Sequence, residues 1–148
     1  MTAQSAEQVR VFPPETLESV AALYPAQAGL LHHHLPDHPL LSLEALAALA
    51  GTLPGSQVEY NPGDLPVGIR PEDVPSNGLS IAETIRTIDS NRSWAVLKNI
   101  ETVDAYRALL MDLLGELEPV ASPRTGAMLT PQGFVFISSP GAITPYHF

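Results

Sequence analysis

The chain has 148 residues, 45% of them hydrophobic and mixed with charged ones throughout, which is the profile of one ordinary soluble globular domain. Its formal charge of −9, with a single lysine, Lys98, and scattered arginines, offers no basic stripe to neutralise phosphates, so direct nucleic-acid binding is not expected. There is no cysteine, which excludes disulfides and thiolate metal sites, and no window nears the roughly 18 uninterrupted apolar residues of a membrane helix.

No basic stretch followed by an apolar core opens the chain, so no secretory leader is expected and a cytoplasmic location follows by default. Any metal must be held by His, Asp or Glu. The 15 prolines and 10 glycines fall between periodic segments, where they read as turns and loop stiffeners, and no internal repeat is present.

Phe12-Pro13-Pro14-Glu15 predicts a helix through Leu17, Val20, Ala21 and Tyr24, with proline in the first turn where its missing N–H costs nothing, and Pro25 ends or bends it. Ser42 is placed to cap a second helix carrying Leu43, Leu46 and Leu49 at helical spacing, with Gly51 as its stop. Residues 57–60 read as a short strand, and residues 61–78 as a long loop rich in Pro, Gly and Asp, of the kind that covers something or moves. Ser80 and Glu83 form a capping box ahead of the stripe Ile81, Ile85 and Ile88.

Trp94-Ala95-Val96-Leu97 reads as a strand buried on both faces. The clearest helix covers residues 102–117, where Val103, Tyr106, Leu110, Leu113, Leu114 and Leu117 follow the i, i+3, i+4 pattern. Its Leu110, Leu113, Leu114 and Leu117 face is expected on the strand at 134–137. That strand, Phe134-Val135-Phe136-Ile137-Ser138-Ser139, is apolar on both faces and is expected to have cover on each side. Pro140-Gly141 turns the chain, and residues 143–148 start another strand. Helices first and strands accumulating late make the fold class α+β rather than alternating βαβ units.

The informative stretch is Ser139-Pro140-Gly141-Ala142-Ile143-Thr144-Pro145-Tyr146-His147-Phe148. It resembles the opening of the metal-binding strand of cupin-like, JmjC-like Fe(II)/2-oxoglutarate-dependent oxygenases, where a glycine-containing turn leads into Thr-Pro-x-His-x-Asp. The resemblance extends to Asn61-Pro62-Gly63-Asp64-Leu65-Pro66, Ser76-Asn77-Gly78-Leu79-Ser80, Ser93-Trp94-Ala95-Val96-Leu97-Lys98-Asn99 and Gly133-Phe134-Val135-Phe136-Ile137-Ser138-Ser139-Pro140-Gly141. Together these look like the bacterial cupin-like proteins often labelled transcriptional regulators.

The resemblance implies a helical amino-terminal region over 1–92, with its long loop at 61–79, leading at 93–148 into the first strands of a double-stranded β-helix whose barrel is incomplete in this chain. It implies that His147 is the first iron ligand and that Thr144 is a cofactor-binding residue able to reach 2-oxoglutarate. Side chains at i and i+2 of a strand share a face, so His-x-Asp sets an imidazole and a carboxylate on one metal. The aspartate and a second histidine would follow Phe148. Ideal alternation puts Thr144 on the face opposite His147, so a bulge near Pro145 is required; a turn hydroxyl satisfying local backbone is the other reading of Thr144.

Fe(II) and 2-oxoglutarate are therefore expected for the complete protein, and tight binding of neither is expected of this chain alone. No catalytic residue is assigned. The function implied is hydroxylation of a protein side chain or small molecule; the alternative is a non-catalytic ligand- or protein-binding regulatory module. Expected partners are a small-molecule cosubstrate and a protein substrate, with no membrane and no nucleic acid, and the chain is expected to self-associate through its carboxy-terminal strands.

Other constellations carry less. His34 and His38 lie four apart with Asp37 between them, but Pro36 and Pro39 break the helix that would align them, and the stretch reads as a solvated loop. Glu116 and Glu118 lie about 200 degrees apart on a helix and form a charged helix end rather than an acid/base pair.

Overall fold

A computed structural model describes residues 10–66 and 68–143 of the chain. The expectations for Thr144 and His147, and for the strand at 143–148 beyond Ile143, lie outside the described residues.

Helix α1, Pro14–Leu23, begins with Pro14 in its first turn as expected. Helix α2, Leu43–Thr52, starts where the Ser42 hydroxyl accepts the Ala45 N–H at 3.2 Å. It runs through Gly51 instead of stopping there, because the Leu53 N–H still reaches the Leu49 carbonyl at 3.2 Å. Helix α3, Ile81–Arg86, carries the predicted capping box: the Ser80 hydroxyl accepts the Glu83 N–H at 3.2 Å, and the Glu83 carboxylate accepts the Ser80 N–H at 3.0 Å. Those bonds hold the Glu83 carboxyl below its ordinary value, since they favour the charged form.

Strands β1 (Val58–Pro62), β2 (Ser93–Lys98) and β3 (Phe134–Ser138) form one antiparallel sheet in the order β1-β2-β3. The register pairs Tyr60 and Ile137 with Ala95, and Glu59 and Phe136 with Val96. Directly opposed residues share a face. One face therefore carries Val58, Tyr60, Ala95, Leu97, Val135 and Ile137, which join Leu46, Leu49, Ala50, Ile85 and Ile88 of the α2 and α3 region in the main apolar core. The other face carries Glu59, Asn61, Trp94, Val96, Lys98, Phe134 and Phe136. The fold is a mixed helix-and-sheet structure, as the α+β expectation has it.

Strand β2 is buried on both sides, as expected from its sequence: Ala95, Val96 and Leu97 are all closed off from solvent. Strand β3 departs from expectation. Ile137 is buried, but Phe134 and Phe136 are 48% and 70% exposed, so cover lies on one side only among the described residues. An uninterrupted apolar run says that both faces resist water, not that both are covered.

Helix α4, Asp104–Thr125, runs well past the predicted end at Leu117 and contains Pro119 and Pro123. Each proline removes one ladder bond, but Gly115, Pro119 and Pro123 all face solvent, where water can satisfy the freed carbonyls. Tertiary contacts hold the extension: Arg124 donates to the Ala21 carbonyl at 2.6 Å, and the Tyr24 and Thr125 hydroxyls meet at 2.9 Å. The main packing partners of α4 are α1 and the 3-10 turn Ile100–Thr102, not β3, so Leu113, Leu114 and Leu117 are only half-buried. Tyr106 anchors its first turns, donating to the Leu40 carbonyl at 2.8 Å, and burial pushes its phenol above the usual value.

Candidate functional site

The turn leading toward Thr144 is fixed from below by a buried polar cluster. Thr84 and Ser93 are fully buried and Ser139 is nearly so. The Asn77 carboxamide donates to the hydroxyls of Thr84 at 2.9 Å and Ser93 at 3.0 Å. Asn91 donates to the Thr84 carbonyl at 2.7 Å and accepts the Ser93 N–H at 3.1 Å. The Ser139 hydroxyl donates to the Ile88 carbonyl and accepts the Ser93 N–H at 3.0 Å. Each of these side chains has a partner, which burial demands because an unpaired buried polar group costs about 1–3 kcal/mol.

From this anchor the chain turns at Pro140 and Gly141 and crosses to the end of β1. The Ile143 N–H donates to the Gly63 carbonyl at 2.7 Å, while the Gly63 N–H donates to the Arg92 carbonyl at 2.6 Å. Glycine is required at 63 by close approach: a Cβ there would lie 2.8 Å from the Ala142 Cβ. The segment entering Thr144-Pro145-Tyr146-His147 is thus tethered at its start to the long loop and to β1.

Beside that tether, on the face of the sheet opposite the main core, lies a cleft of about 350 Å³. Its floor is the cross-strand pair Asn61 and Trp94, and its walls include Leu65, Ile69, Val74 and Ile143. Of the long loop, Leu65, Ile69 and Val74 line this cleft, while Asn61 and Pro62 belong to β1. At the rim Glu59 pairs with Lys98 at 2.8 Å, and Asp64 faces Arg92 at 4.0 Å. These pairs are substantially exposed, so they match charge locally and add little stability.

A wider open cleft, about 1050 Å³, lies between α4, Leu17 of α1 and the histidine-rich stretch. Two of its polar side chains are engaged in holding the fold. Both Glu116 oxygens accept backbone N–H groups, from Val11 at 2.7 Å and Phe12 at 2.9 Å, and His38 Nδ1 accepts the Leu40 N–H at 3.2 Å as the cap of a 3-10 turn. Glu116, read from sequence as part of a charged helix end, proves to be the clamp on the amino-terminal segment.

Among the described residues no three His, Asp or Glu side chains come together in a way that could hold a metal. No described helix is long and apolar enough to cross a membrane. Nothing in the sequence singles out Asn61 and Trp94 as a pair; their joint position in a cleft follows from the β1–β2 register, which no local pattern reveals. Comparison with family models, with curated proteins and with solved structures returns no match for the chain.

Proposed function

We propose that this sheet is the first part of a cupin-like barrel and that the chain is the amino-terminal part of an Fe(II)/2-oxoglutarate-dependent oxygenase. The observation that carries the reading is the Gly63 tether, which delivers the chain to the wall of the Trp94 cleft at Ile143, one residue before the Thr144-Pro145-Tyr146-His147 motif. A sheet with helices against one face and aromatic residues open on the other is also what the outer wall of such a barrel requires.

Bound together, Fe(II) and 2-oxoglutarate would supply oxidation of a C–H bond by O2 with decarboxylation of the cosubstrate. The described residues do not by themselves fit an iron ion, since they bring no ligand set together, and no chemical step is derived from them. Under this reading His147 is a ligand, Thr144 reaches the cosubstrate, and the cleft receives the group to be oxidised. Location in the cytoplasm belongs to the same proposal.

The test is a protein extended through the remaining barrel strands. One Fe(II) per chain and 2-oxoglutarate turnover are expected, both lost in His147→Ala. Full iron content in that variant would remove His147 from the ligand set and the reading with it. The second reading, a non-catalytic binding or regulatory module, is favoured by the cleft floor, where an indole and a carboxamide are recognition groups that need no metal.

A further inference from the structure

The cleft beside Gly63 has a specific recognition chemistry. Trp94 and Asn61 are directly opposed across β1 and β2, and both line the cavity. The charges at the rim are matched, Glu59 by Lys98 and Asp64 by Arg92. The Asn61 carboxamide has no hydrogen-bond partner among the described residues. The remaining walls are mostly apolar, through Leu65, Ile69, Val74 and Ile143. A half-buried amide with no partner among the described residues, set in a mostly apolar wall beside an aromatic ring, offers a ligand one donor and one acceptor side by side.

We propose that this cleft binds a flat group carrying an N–H donor and an acceptor on one edge, hydrogen-bonded twice to the Asn61 carboxamide and lying against the Trp94 indole. A carboxamide presents its oxygen and its NH2 side by side in one plane, so its two-bond complement must offer donor and acceptor on the same side. A trans peptide bond does not, because its N–H and C=O point in opposite directions. The primary carboxamide of an Asn or Gln side chain does, and so does the adenine edge formed by N6 and N7. Both are flat and stack on an indole.

A volume of about 350 Å³ is at the small end for ligand cavities and suits a side chain or a base better than a whole dinucleotide. A carboxylate in place of the carboxamide would set oxygen against oxygen at one of the two bonds, and would add negative charge to a chain already at −9. The proposal rests on reading this cleft as the ligand cleft and deepens that reading by naming the group it takes; it requires no iron.

Trp94 is the only tryptophan in the chain, so its fluorescence reports directly on the cleft. The metal-free full chain is titrated with N-acetylglutamine N-methylamide and with adenosine, each against an analogue lacking the donor: N-acetylglutamate N-methylamide and N6,N6-dimethyladenosine. A saturable change is expected for at least one of the first two, with affinity at least about tenfold weaker for its donor-less analogue, the discrimination a polar site of this kind gives. Saturation by only one of them identifies the source of the edge as side-chain amide or purine.

Asn61→Leu, which keeps roughly the size and removes both donor and acceptor, is expected to abolish the discrimination at unchanged melting temperature. No saturable change with either ligand, or equal response within each pair, overturns the proposal, and these comparisons on the unaltered chain stand even if the variant folds poorly. Failure here alongside iron binding through His147 would sink the amide reading alone; success here without iron binding would sink the oxygenase reading alone.

Discussion

Gly63 and Ala142 approach so closely that a methyl group on Gly63 would stand 2.8 Å from the Ala142 Cβ, well inside contact distance. Gly63→Ala must therefore displace either β1's end or the turn after Ser139. A loss of about 1–3 kcal/mol is expected, as for other overpacked sites, together with faster amide exchange at Ile143. Gly51, exposed within α2 with open space around its Cα, is the contrast: Gly51→Ala is expected to stabilise by about 0.5–1 kcal/mol. Urea denaturation of both variants decides; a neutral Gly63→Ala would show that the tether yields freely.

Glu116 is expected to hold the amino-terminal segment against α4. Glu116→Ala leaves the Val11 and Phe12 N–H groups without their acceptor, costing about 1–3 kcal/mol. Because α1 follows directly on this clamped segment and packs on α4, it is expected to loosen with it, giving faster proteolysis upstream of residue 24. Protease resistance equal to wild type would show that apolar packing alone keeps α1 in place.

Two exposed carboxylates carry an acid-sensitive part of the stability. Glu44 is lowered mainly by its hydrogen bond from Arg86, with the guanidinium nitrogens at 2.7 and 2.6 Å, and Glu83 mainly by the Ser80 N–H. For carboxyls lowered in the folded state, the contribution is complete above their unfolded values and is lost as pH falls through the folded ones. Thermal melts from neutral to acid pH are expected to fall less steeply for Glu83→Gln than for wild type. Parallel acid limbs would count against the capping box as their source.

Among the described residues strand β3 is an edge of the sheet, with no charge, no proline and two exposed phenylalanines, so it lacks the usual guards against pairing with another copy. The Ile143 N–H is held by the Gly63 carbonyl at the end of β1, away from this edge. Concentration-dependent sedimentation at micromolar protein is expected, reduced in Phe136→Lys, which places a charge in the exposed row. A single monomeric boundary at all concentrations would refute self-association through β3.

How far the sequence reveals this structure depends on the range of the force at each point. The α3 capping box was legible because Ser80 and Glu83 are three apart and satisfy each other. The buried middle strand was legible because Trp94-Ala95-Val96-Leu97 offers no polar face. The extension of α4 past Pro119 was not, since it depends on Arg124 reaching Ala21 and on Tyr24 meeting Thr125. The solvent-facing Phe134 and Phe136 were not, because apolar character records a preference and not its fulfilment. The pairing of Asn61 with Trp94 needed the register itself, while Thr144 and His147 fall outside the described residues.

The middle position of β2 has a consequence for the order in which the molecule assembles. Its two neighbours come from opposite directions along the chain, β1 across α3 and β3 across α4, so no tight hairpin joins these three strands. Each ladder requires closing a loop of tens of residues before its first bond forms, whereas the helices propagate from local signals. Refolding should accordingly raise helical circular dichroism before Trp94 emission reaches its native value, with the lag set by loop search and not by helix growth.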